Sequence, residues 1–432
     1  MVTPLDRLLE HYRDRHGLIA RGGLSVPWSS DLRRAVVIPA RGEGDLGAVL
    51  GSLSACERPA GTTEVIVLVN ASADDSPSVR QANAATVRSV AQWEAGNQQG
   101  MRFFSLSHNR ISPRYAGVGT ARKLGLDEAA FRLVGAGAPD GVLACLDADC
   151  TVAPNYLVAL ERHFAVADPA LASVYFEHPL PAEEAARAAI VRYELHLRTY
   201  VNGLRSARAT LASHTVGSCI VTTAREYLAL GGMNRRQAGE DFYFVNKHAQ
   251  RHPVSDVGDT CVYPSARISE RVPFGTGRAM RQASGGEVQL TYDPRCYETL
   301  RAVMDALEAV GLSPAEREAR VGVAATYLDE VDWRAQVAQC ERETRSPQAY
   351  RKRVRTWFDG FKAMKLIHWL TAQHFPRAPV LDAAESVYRR VTGRRLAKNS
   401  QPELLEELAL EAFRRLDREH GLTPHRQFPD VY

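Results

Sequence analysis

The chain has 432 residues, of which 45% are hydrophobic and 24% are charged. This is the composition of an ordinary globular protein large enough for more than one core, and it excludes a disordered chain. The formal net charge of +4 is small for this length and the arginines are interleaved with acidic residues, so a nucleic-acid partner is not expected.

The cysteines and the hydrophobic runs indicate where the protein works. The seven cysteines are odd in number and include no CxxC pair, which favours a reducing compartment over a disulfide framework or a zinc knuckle. No stretch of about 18 residues is free of charge, so no transmembrane segment is predicted. The first residues, MVTPLDRLLEHYRDRHG, lack the apolar run of a signal peptide. We therefore expect a cytoplasmic protein, and peripheral contact between a surface helix and a membrane stays open.

The first part of the chain predicts an α/β domain. Spaced leucines among charges predict a short amphipathic helix over 5–16, within an N-terminal helical segment at 1–30. Beyond it, short β-branched runs alternate with stretches of helical periodicity, which is typical of a mostly parallel sheet covered on both faces. The strand-like runs lie at 35–38, 64–69, 101–106, 142–146 and 171–176. The predicted domain covers 31–295.

From about residue 296 the pattern changes to helical stretches with hardly any strand-like run. Segments 297–311, 313–331 and 402–416 have helical periodicity, and Ser313 and Ser400 are candidate N-caps. We expect residues 296–432 to form an appended all-helical C-terminal region.

Polar residues follow three of the predicted strands at the point where each strand ends. The first strand is followed by Pro39-Ala40-Arg41-Gly42-Glu43, the second by Asn70 and a polar stretch that ends at Asp75, and the fourth by Asp147-Ala148-Asp149. Open parallel sheets bind ligands beyond the carboxyl ends of their strands. These three clusters are therefore predicted to share one ligand-binding rim.

The segment VLACLDADC is the strongest single feature of the sequence. It is an apolar strand that delivers two carboxylates, Asp147 and Asp149, separated by one small residue. Hard oxygen donors at a strand end suit Mg²⁺ or Mn²⁺, and such an ion would neutralise a diphosphate. Asp is also common in turns, so a pair that only caps the turn before Pro154 is the alternative interpretation.

A second acidic pair, Glu240-Asp241, follows the turn at Gly231-Gly232 and opens a helix that contains aromatic residues. The helix macrodipole favours acidic residues at a helix start, which is a purely structural explanation. The strand before the turn can also place the pair beside the same pocket. There a carboxylate could take the proton from an attacking hydroxyl while a metal holds the leaving diphosphate.

Five segments in this order resemble the GT-A fold of family-2-type glycosyltransferases. They are AVVIPARGE, VLVNAS, YAGVGTARKLGLDEA, CLDADC and GGMNRRQAGED, and the resemblance covers roughly 35–259. It implies a GT-A-like, Rossmann-type sheet and transfer of a sugar from a nucleotide-sugar donor to a hydroxyl acceptor, with a UDP-sugar favoured as donor. It also implies a DXD motif that binds Mn²⁺ or Mg²⁺, and inversion at the anomeric carbon.

The resemblance assigns nucleotide-binding roles to matching positions. The first nucleotide loop, which contacts the base and ribose, corresponds to Pro39, Ala40, Arg41 and Glu43. Asn70 stands where the family usually has an Asp that reads the base, which leaves the choice of base open. Arg122 matches an Arg on the helix that lines the nucleotide pocket.

The catalytic and metal-binding roles follow from the same resemblance. Asp147 would touch the ribose and the metal, and Asp149 would bind the metal directly. Asp241 would be the general base, and Glu240 would contact hydroxyls of the acceptor or the sugar.

Two features depart from the family pattern. Segment 259–280 contains no His to add a metal ligand, so Arg271 is a candidate contact to the diphosphate instead. The QxxRW signature and the membrane helices of processive polymer synthases are absent as well, which favours an enzyme that adds a single sugar.

Two alternatives remain open from the sequence. A sugar-phosphate nucleotidyltransferase has a related sheet and a divalent metal, although PARGEGDLG has a single Arg where a triphosphate loop would be Gly-rich and basic. A non-catalytic nucleotide-sugar-binding scaffold would use the helical region as its partner surface. Against the scaffold, the residues proposed for chemistry, Asp147, Asp149 and Asp241, are all intact.

Overall fold

The computed structural model describes residues 4–17, 23–96, 100–167, 169–267, 289–397 and 402–421. The chain forms two compact units that interleave along the sequence. The first unit comprises Met1–Pro179, Thr215–Val245 and Ser255–Ser265, and the second comprises Leu180–His214, Asn246–Val254 and Ala266–Tyr432. Segment Leu180–His214 thus packs with the C-terminal region. The predicted division into 1–30, 31–295 and 296–432 stays a prediction.

The first unit is built on one eight-stranded sheet. Its strands are β1 Leu32–Ala40, β2 Thr62–Ser72, β3 Met101–Ile111, β4 Val142–Cys145, β5 Thr151–Val152, β6 Leu171–Phe176, β7 Ile220–Thr223 and β8 Ser255–Tyr263. Their order in space is β3-β2-β1-β4-β7-β6-β8-β5. The four strands β3, β2, β1 and β4 are parallel, whereas β7 is antiparallel to both of its neighbours. The predicted α/β class with a mostly parallel sheet is confirmed.

Helices cover this sheet. They are α1 Pro4–Arg15, α2 Gly47–Ser54, α3 Pro77–Ala95, α4 Val118–Gly135, α5 Tyr156–Ala167 and α7 Ala224–Ala229, and α8 Glu240–Ala249 begins in this unit. Every residue of β2 is buried, as expected for a parallel strand covered on both faces. The near-continuous apolar run that identified this strand in the sequence therefore reflects burial on two sides.

Helix α4 runs through the interior of the first unit, with residues 119–134 all buried. Its charged side chains are paired. Arg132 donates to both carboxylate oxygens of Glu64 on β2 at 2.6 and 2.8 Å, and Lys123 lies 3.3 Å from Asp127. Because an unpaired buried charge is strongly destabilising, these pairs allow a charged helix to occupy the core.

Within the residues that the structure describes, the second unit is helical apart from one short strand pair. Its helices are α6 Glu184–Ser206, α9 Pro294–Glu308, α10 Pro314–Val321, α11 Ala325–Glu330, α12 Trp333–Glu343, α13 Pro347–Trp357, α14 Gly360–Gln373, α15 Val380–Thr392 and α16 Pro402–Gly421. Strands β9 Leu290–Thr291 and β10 Ala378–Pro379 pair antiparallel. The appended helical region is confirmed, with this pairing as the exception. Among the helices that the structure describes, none has the length and apolar character needed to cross a membrane.

The predicted helix starts and stops in this unit have mixed outcomes. Ser313 caps α10 in a capping box with Glu316, as predicted. The predicted helical segment 313–331 is divided into two α-helices, because Gly322 adopts a φ of 55° and separates α10 from α11. Ser400 lies outside the described residues.

Buried ion pairs explain why α6 belongs to the second unit. Arg198 is fully buried and pairs with Glu194 at 2.7 Å and with Asp417 of α16 at 2.6 Å. Arg414 of α16 donates to both oxygens of Glu194 at 2.8 Å. Arg205 also donates a hydrogen bond to Asp417. The pKa of the Asp417 carboxyl lies well below its usual range, because the arginines and His214 more than offset the cost of burial. Helix α16 thus supplies ion-pair partners to the buried charged residues of α6.

The close contact of α4 with β1 generates a stability prediction. A Cβ added at Gly125 would overlap Cγ1 of Val37, whereas one added at Gly51 of α2 would meet only Trp93 at 3.9 Å. We expect Gly125→Ala to destabilise the protein by about 1 to 3 kcal/mol through overpacking. Gly51→Ala, a matched helical substitution, should stabilise it by about 0.5 to 1 kcal/mol. Shifts of the urea unfolding midpoint in opposite directions would bear this out, and a gain for both variants would contradict it.

Candidate functional site

The carboxyl ends of three neighbouring strands meet at one edge of the sheet in the first unit. The register pairs Ala40 of β1 with Val69 of β2, and Val37 of β1 with Cys145 of β4. The chain then leaves each strand in the polar segments singled out from the sequence. The strand-end rim expected from the sequence is therefore present in the fold.

Arg122 on α4 connects the acidic turn after β4 with the start of α8. Its Nη2 donates to Oδ1 of Asp147 at 2.5 Å, and its Nη1 makes a short bond to Oε1 of Glu240. Arg122 is 5% exposed and Glu240 is 1% exposed. Burial disfavours the charged guanidinium, but Asp147 and Glu240 more than offset this cost and raise the pKa of Arg122 well above its ordinary value. The turn after β4 and the start of α8, which are far apart in sequence, thus form ion pairs with the same buried cation.

Two glycines allow the chain to come this close to Arg122. A Cβ added at Gly217 would overlap the guanidinium of Arg122, and one added at Gly119 would lie 2.7 Å from the carbonyl oxygen of Asn234. A side chain at either position would displace Arg122 or the loop that leads into α8. The small residues of the SHTVGSC and GVGTAR segments therefore have a packing role at this site.

Asp241 follows Glu240 at the start of α8 and is partly exposed. Its Oδ1 accepts the backbone N–H of Phe242 at 2.7 Å. Burial raises the pKa of the Asp241 carboxyl to about 6, with further increases from Glu240 and Asp147 that Arg122 and the Phe242 N–H oppose. A carboxylate with this pKa is ionised at neutral pH and is basic enough to accept a proton in catalysis.

Asp147 and Asp149 lie in the turn after β4 and are both partly exposed. No group of three His, Cys, Asp or Glu side chains among the described residues is arranged to hold a metal. Mg²⁺, however, is commonly held by one or two carboxylates, with waters and substrate phosphates as its other ligands. When ionised, the four carboxylates here exceed the one guanidinium by three negative charges. Both the donor chemistry and this excess charge fit a divalent cation completed by substrate.

A second group of polar residues fixes the loop after β1. Arg41 donates to Asp75 through both Nε, at 2.9 Å, and Nη2. Asp75 also accepts the Ser72 N–H at 2.8 Å, and the hydrogen bond from Arg41 lowers the pKa of its carboxyl. The loop after β1 is therefore tied to the end of β2 by an ion pair.

Asn83 of α3 makes a further tie between these two strand ends. Its Oδ1 accepts the N–H of Gly42 at 2.8 Å, and its Nδ2 donates to the carbonyl of Asn70 at 2.9 Å. Asn83 is buried and Asn70 is 3% exposed. One side chain thus holds the turn after β1 at a fixed distance from the end of β2.

The site residues predicted from the sequence form two sets in the structure, and one further predicted residue belongs to neither set. One set surrounds Arg122 and contains Asp147, Glu240 and Asp241, with Asp149 in the same turn as Asp147. The other lies at the ends of β1 and β2 and contains Pro39, Ala40, Arg41, Glu43 and Asn70. Arg271 lies outside the described residues. The role of each residue stays a prediction.

Sequence reasoning missed the contributions of Asp75, Asn83 and Gly217. Asn83 had a detectable signal, because it shares a buried helical stripe with Thr86 and Val90 on α3. A polar residue on such a stripe needs a hydrogen-bond partner. Gly217 had no comparable signal, because its contact with Arg122 joins positions 95 residues apart in the chain.

Comparison with known proteins finds distant likenesses among solved structures. No protein-family profile and no curated protein sequence matches the chain. Residues 1–349 of Staphylococcus aureus TarS with bound UDP-GlcNAc match with 12% identity and a TM-score of 0.37, over 90% of this chain and 91% of that one. The Pyrobaculum calidifontis mannosyltransferase PcManGT with GDP-Man and Mn²⁺ matches with 14% identity and a TM-score of 0.37, over 85% of this chain and 96% of that one. Likenesses at this level carry no conclusion about what this chain binds.

The raised pKa of Asp241 predicts a pH-dependent stability difference. The fold favours the protonated acid, so its stabilising effect is complete below the ordinary pKa and is lost as the pH rises through about 6. Asp241→Asn should therefore be more stable than the wild type at pH 8, by on the order of 1 to 3 kcal/mol. The difference should vanish near pH 4, as measured by thermal unfolding across pH.

Asp140→Asn is the matched control, because a hydrogen bond from Arg225 lowers the pKa of the exposed Asp140 carboxyl. This control should gain no stability at pH 8. If Asp241→Asn gains none either, Asp241 is not the strained acid that its surroundings indicate.

Proposed function

We propose that the chain is a divalent-metal-dependent, non-processive glycosyltransferase that moves a sugar from a nucleotide-sugar donor to a hydroxyl acceptor. A UDP-sugar is the favoured donor and the cytoplasm the favoured location. The observation that carries the proposal is the double ion pair of Arg122. This residue brings the acidic turn after β4 and the acidic start of α8 to one place. The family resemblance of the five sequence segments supplies the reaction class.

The strand-end loops would bind the donor. In this proposal, Arg41, Glu43 and Asn70 contact the nucleoside, and the pairs Arg41–Asp75 and Asn83–Gly42 hold their loop in position. Asp147 and Asp149 would hold Mn²⁺ or Mg²⁺, and the bound ion would neutralise the diphosphate as it leaves.

Asp241 would act as the general base. It takes the proton of the acceptor hydroxyl while that oxygen forms a bond to the anomeric carbon. The bond from this carbon to the diphosphate oxygen breaks, the electron pair leaves with the nucleoside diphosphate, and the anomeric configuration inverts. A pKa of about 6 for Asp241 suits this task at neutral pH.

Glu240 would bind a sugar or acceptor hydroxyl. Its Oε1 is occupied by Arg122, whereas its Oε2 is buried without a hydrogen-bond partner among the described residues. A buried carboxylate oxygen without a partner is costly, and a hydroxyl donor would satisfy it.

A donor screen with product analysis tests the reaction class. Thermal shifts with nucleoside diphosphates and nucleotide-sugars, with and without Mn²⁺, identify a donor, because a ligand that binds only the native state raises its apparent stability. Release of a nucleoside diphosphate during turnover supports the transferase. Formation of a nucleotide-sugar with pyrophosphate would indicate a nucleotidyltransferase, and donor binding without turnover would indicate a scaffold.

Loss of a proposed metal ligand should remove activity without unfolding the protein. We expect Asp149→Asn to abolish Mn²⁺-dependent donor hydrolysis and transfer, because Asp149 is partly exposed in a turn and its loss leaves the core intact. The control variant Asp140→Asn, which removes an exposed carboxylate outside the proposed site, should keep full activity. Retained activity in Asp149→Asn would remove the metal assignment.

Loss of the proposed base should affect turnover more than donor binding. We expect Asp241→Asn to lower kcat by a factor on the order of 10² to 10⁴, the usual contribution of a general base, with little change in donor affinity. In the wild type, kcat/KM should rise with pH through about 6, following deprotonation of Asp241. A variant that loses donor affinity and keeps its turnover would show that the base is elsewhere.

A further inference from the structure

Three arginines of the first unit lie over the rings of Tyr115 and Tyr243, and we call them the arginine rim: Arg114, Arg235 and Arg236. All three are exposed. Arg235 and Arg236 precede Asp241 in the loop that leads into α8, and Arg114 lies shortly before the start of α4. None of them has a role in the proposed reaction.

Aromatic rings orient the side chains of the arginine rim. The Cζ of Arg236 lies 3.8 Å from the ring centroid of Tyr243, which is two residues beyond Asp241 on α8. The Cζ atoms of Arg235 and Arg114 lie 4.6 and 5.4 Å from the ring of Tyr115. A guanidinium over an aromatic ring uses its face for the contact, so its N–H groups stay available to a ligand.

The arginine rim has no carboxylate partner among the described residues. This distinguishes it from Arg41, Arg122 and Arg132, each of which is ion-paired in the same unit. Exposed arginines without partners are in general simply solvated. Three of them against two tyrosines form a cationic surface that can bind an anion through paired hydrogen bonds.

The backbone that carries the rim is fixed against helix α4. A Cβ added at Gly119 would overlap the carbonyl oxygen of Arg236, and one added at Gly117 would lie 2.9 Å from the carbonyl of Gln237. The loop thus packs directly on the turn of α4 that precedes Arg122. Arg122 in turn holds Glu240, so the rim has a defined position relative to the acidic site.

We propose that the arginine rim is an acceptor subsite and that the acceptor carries a negatively charged phosphate or carboxylate group. The inference rests on the proposed function. The proposed chemistry has more carboxylates than cations around Arg122, and these charges would repel an anionic acceptor. The rim would compensate for this repulsion, and its Arg236 packs on Tyr243 of α8, the helix whose first turn holds Asp241.

Binding of matched neutral and anionic alcohols tests this inference. The probes are glycerol with glycerol 3-phosphate, and glucose with glucose 6-phosphate and glucuronate. Binding is measured by thermal shift and calorimetry on the full chain, with saturating nucleoside diphosphate and Mn²⁺ to occupy the donor site. We expect the anionic member of at least one pair to bind 10-fold or more tightly than its neutral partner. The relative affinity of phosphates and glucuronate then distinguishes the two kinds of anion.

Charge-matched variants separate the rim from general electrostatics. The double variant Arg235→Gln/Arg236→Gln should lose at least 10-fold in affinity for the anionic probes and change little toward the neutral ones. The control Arg7→Gln/Arg88→Gln removes the same charge from exposed positions on α1 and α3 and should bind as the wild type does. Equal affinity for neutral and anionic probes, or equal losses in both double variants, would overturn the inference.

The two proposals fail in different ways. If nucleoside diphosphates bind but anionic alcohols have no advantage, the acceptor inference is wrong and the transferase proposal stands. If no nucleoside diphosphate or nucleotide-sugar binds, the proposed function is wrong. In that case, anion binding by the arginine rim is measured by comparing the wild type and the double variants with the alcohol probes alone, without nucleotide or Mn²⁺.

Discussion

The double ion pair of the Arg122 guanidinium is the interaction on which the rest of the site depends. The guanidinium is buried and pairs with Asp147 and Glu240, which belong to segments that enter the fold separately. Without this cation, Glu240 would be an uncompensated charge in a buried position, which would strongly destabilise the protein. The helix start at Glu240 and the turn at Asp147 therefore have their positions because one side chain from α4 satisfies both. Glycines at 119 and 217 provide the space that this arrangement needs.

Such a site stores electrostatic strain. Arg122 neutralises only part of the surrounding negative charge, and burial together with Glu240 and Asp147 raises the pKa of Asp241. Groups that are poised for proton transfer are often destabilising in the resting protein, which is one reason why perturbed acids cluster at functional sites. Here the cost falls on a partly exposed helix start, while the paired charges deeper in α4 keep the interior stable.

The parts of this fold that could be predicted are those with a local cause. Buried parallel strands require continuous apolar runs, so β1, β2, β3, β4 and β6 could be located from the sequence, and the acidic segments stood out because they follow strands or turns. What could not be predicted depends on partners distant in the chain. Arg122 was expected in a nucleotide pocket, but its carboxylate partners lie 25 and 118 positions away. The packing of Leu180–His214 with the second unit likewise depends on charges that α16 supplies more than 200 positions later.

The ion network between α6 and α16 also bears on how shortened forms of this protein would behave. Arg198 and Glu194 are fully buried, and their partners Asp417 and Arg414 lie on the last helix described. A fragment that stops before residue 402 would lose Asp417 and Arg414, the partners that α16 supplies to Arg198 and Glu194, and would expose the apolar core that Leu410 and Phe413 help to form. Its poor solubility would then report a missing structural helix and would say nothing about activity. Expression fragments and C-terminal fusions should therefore preserve the chain through Gly421.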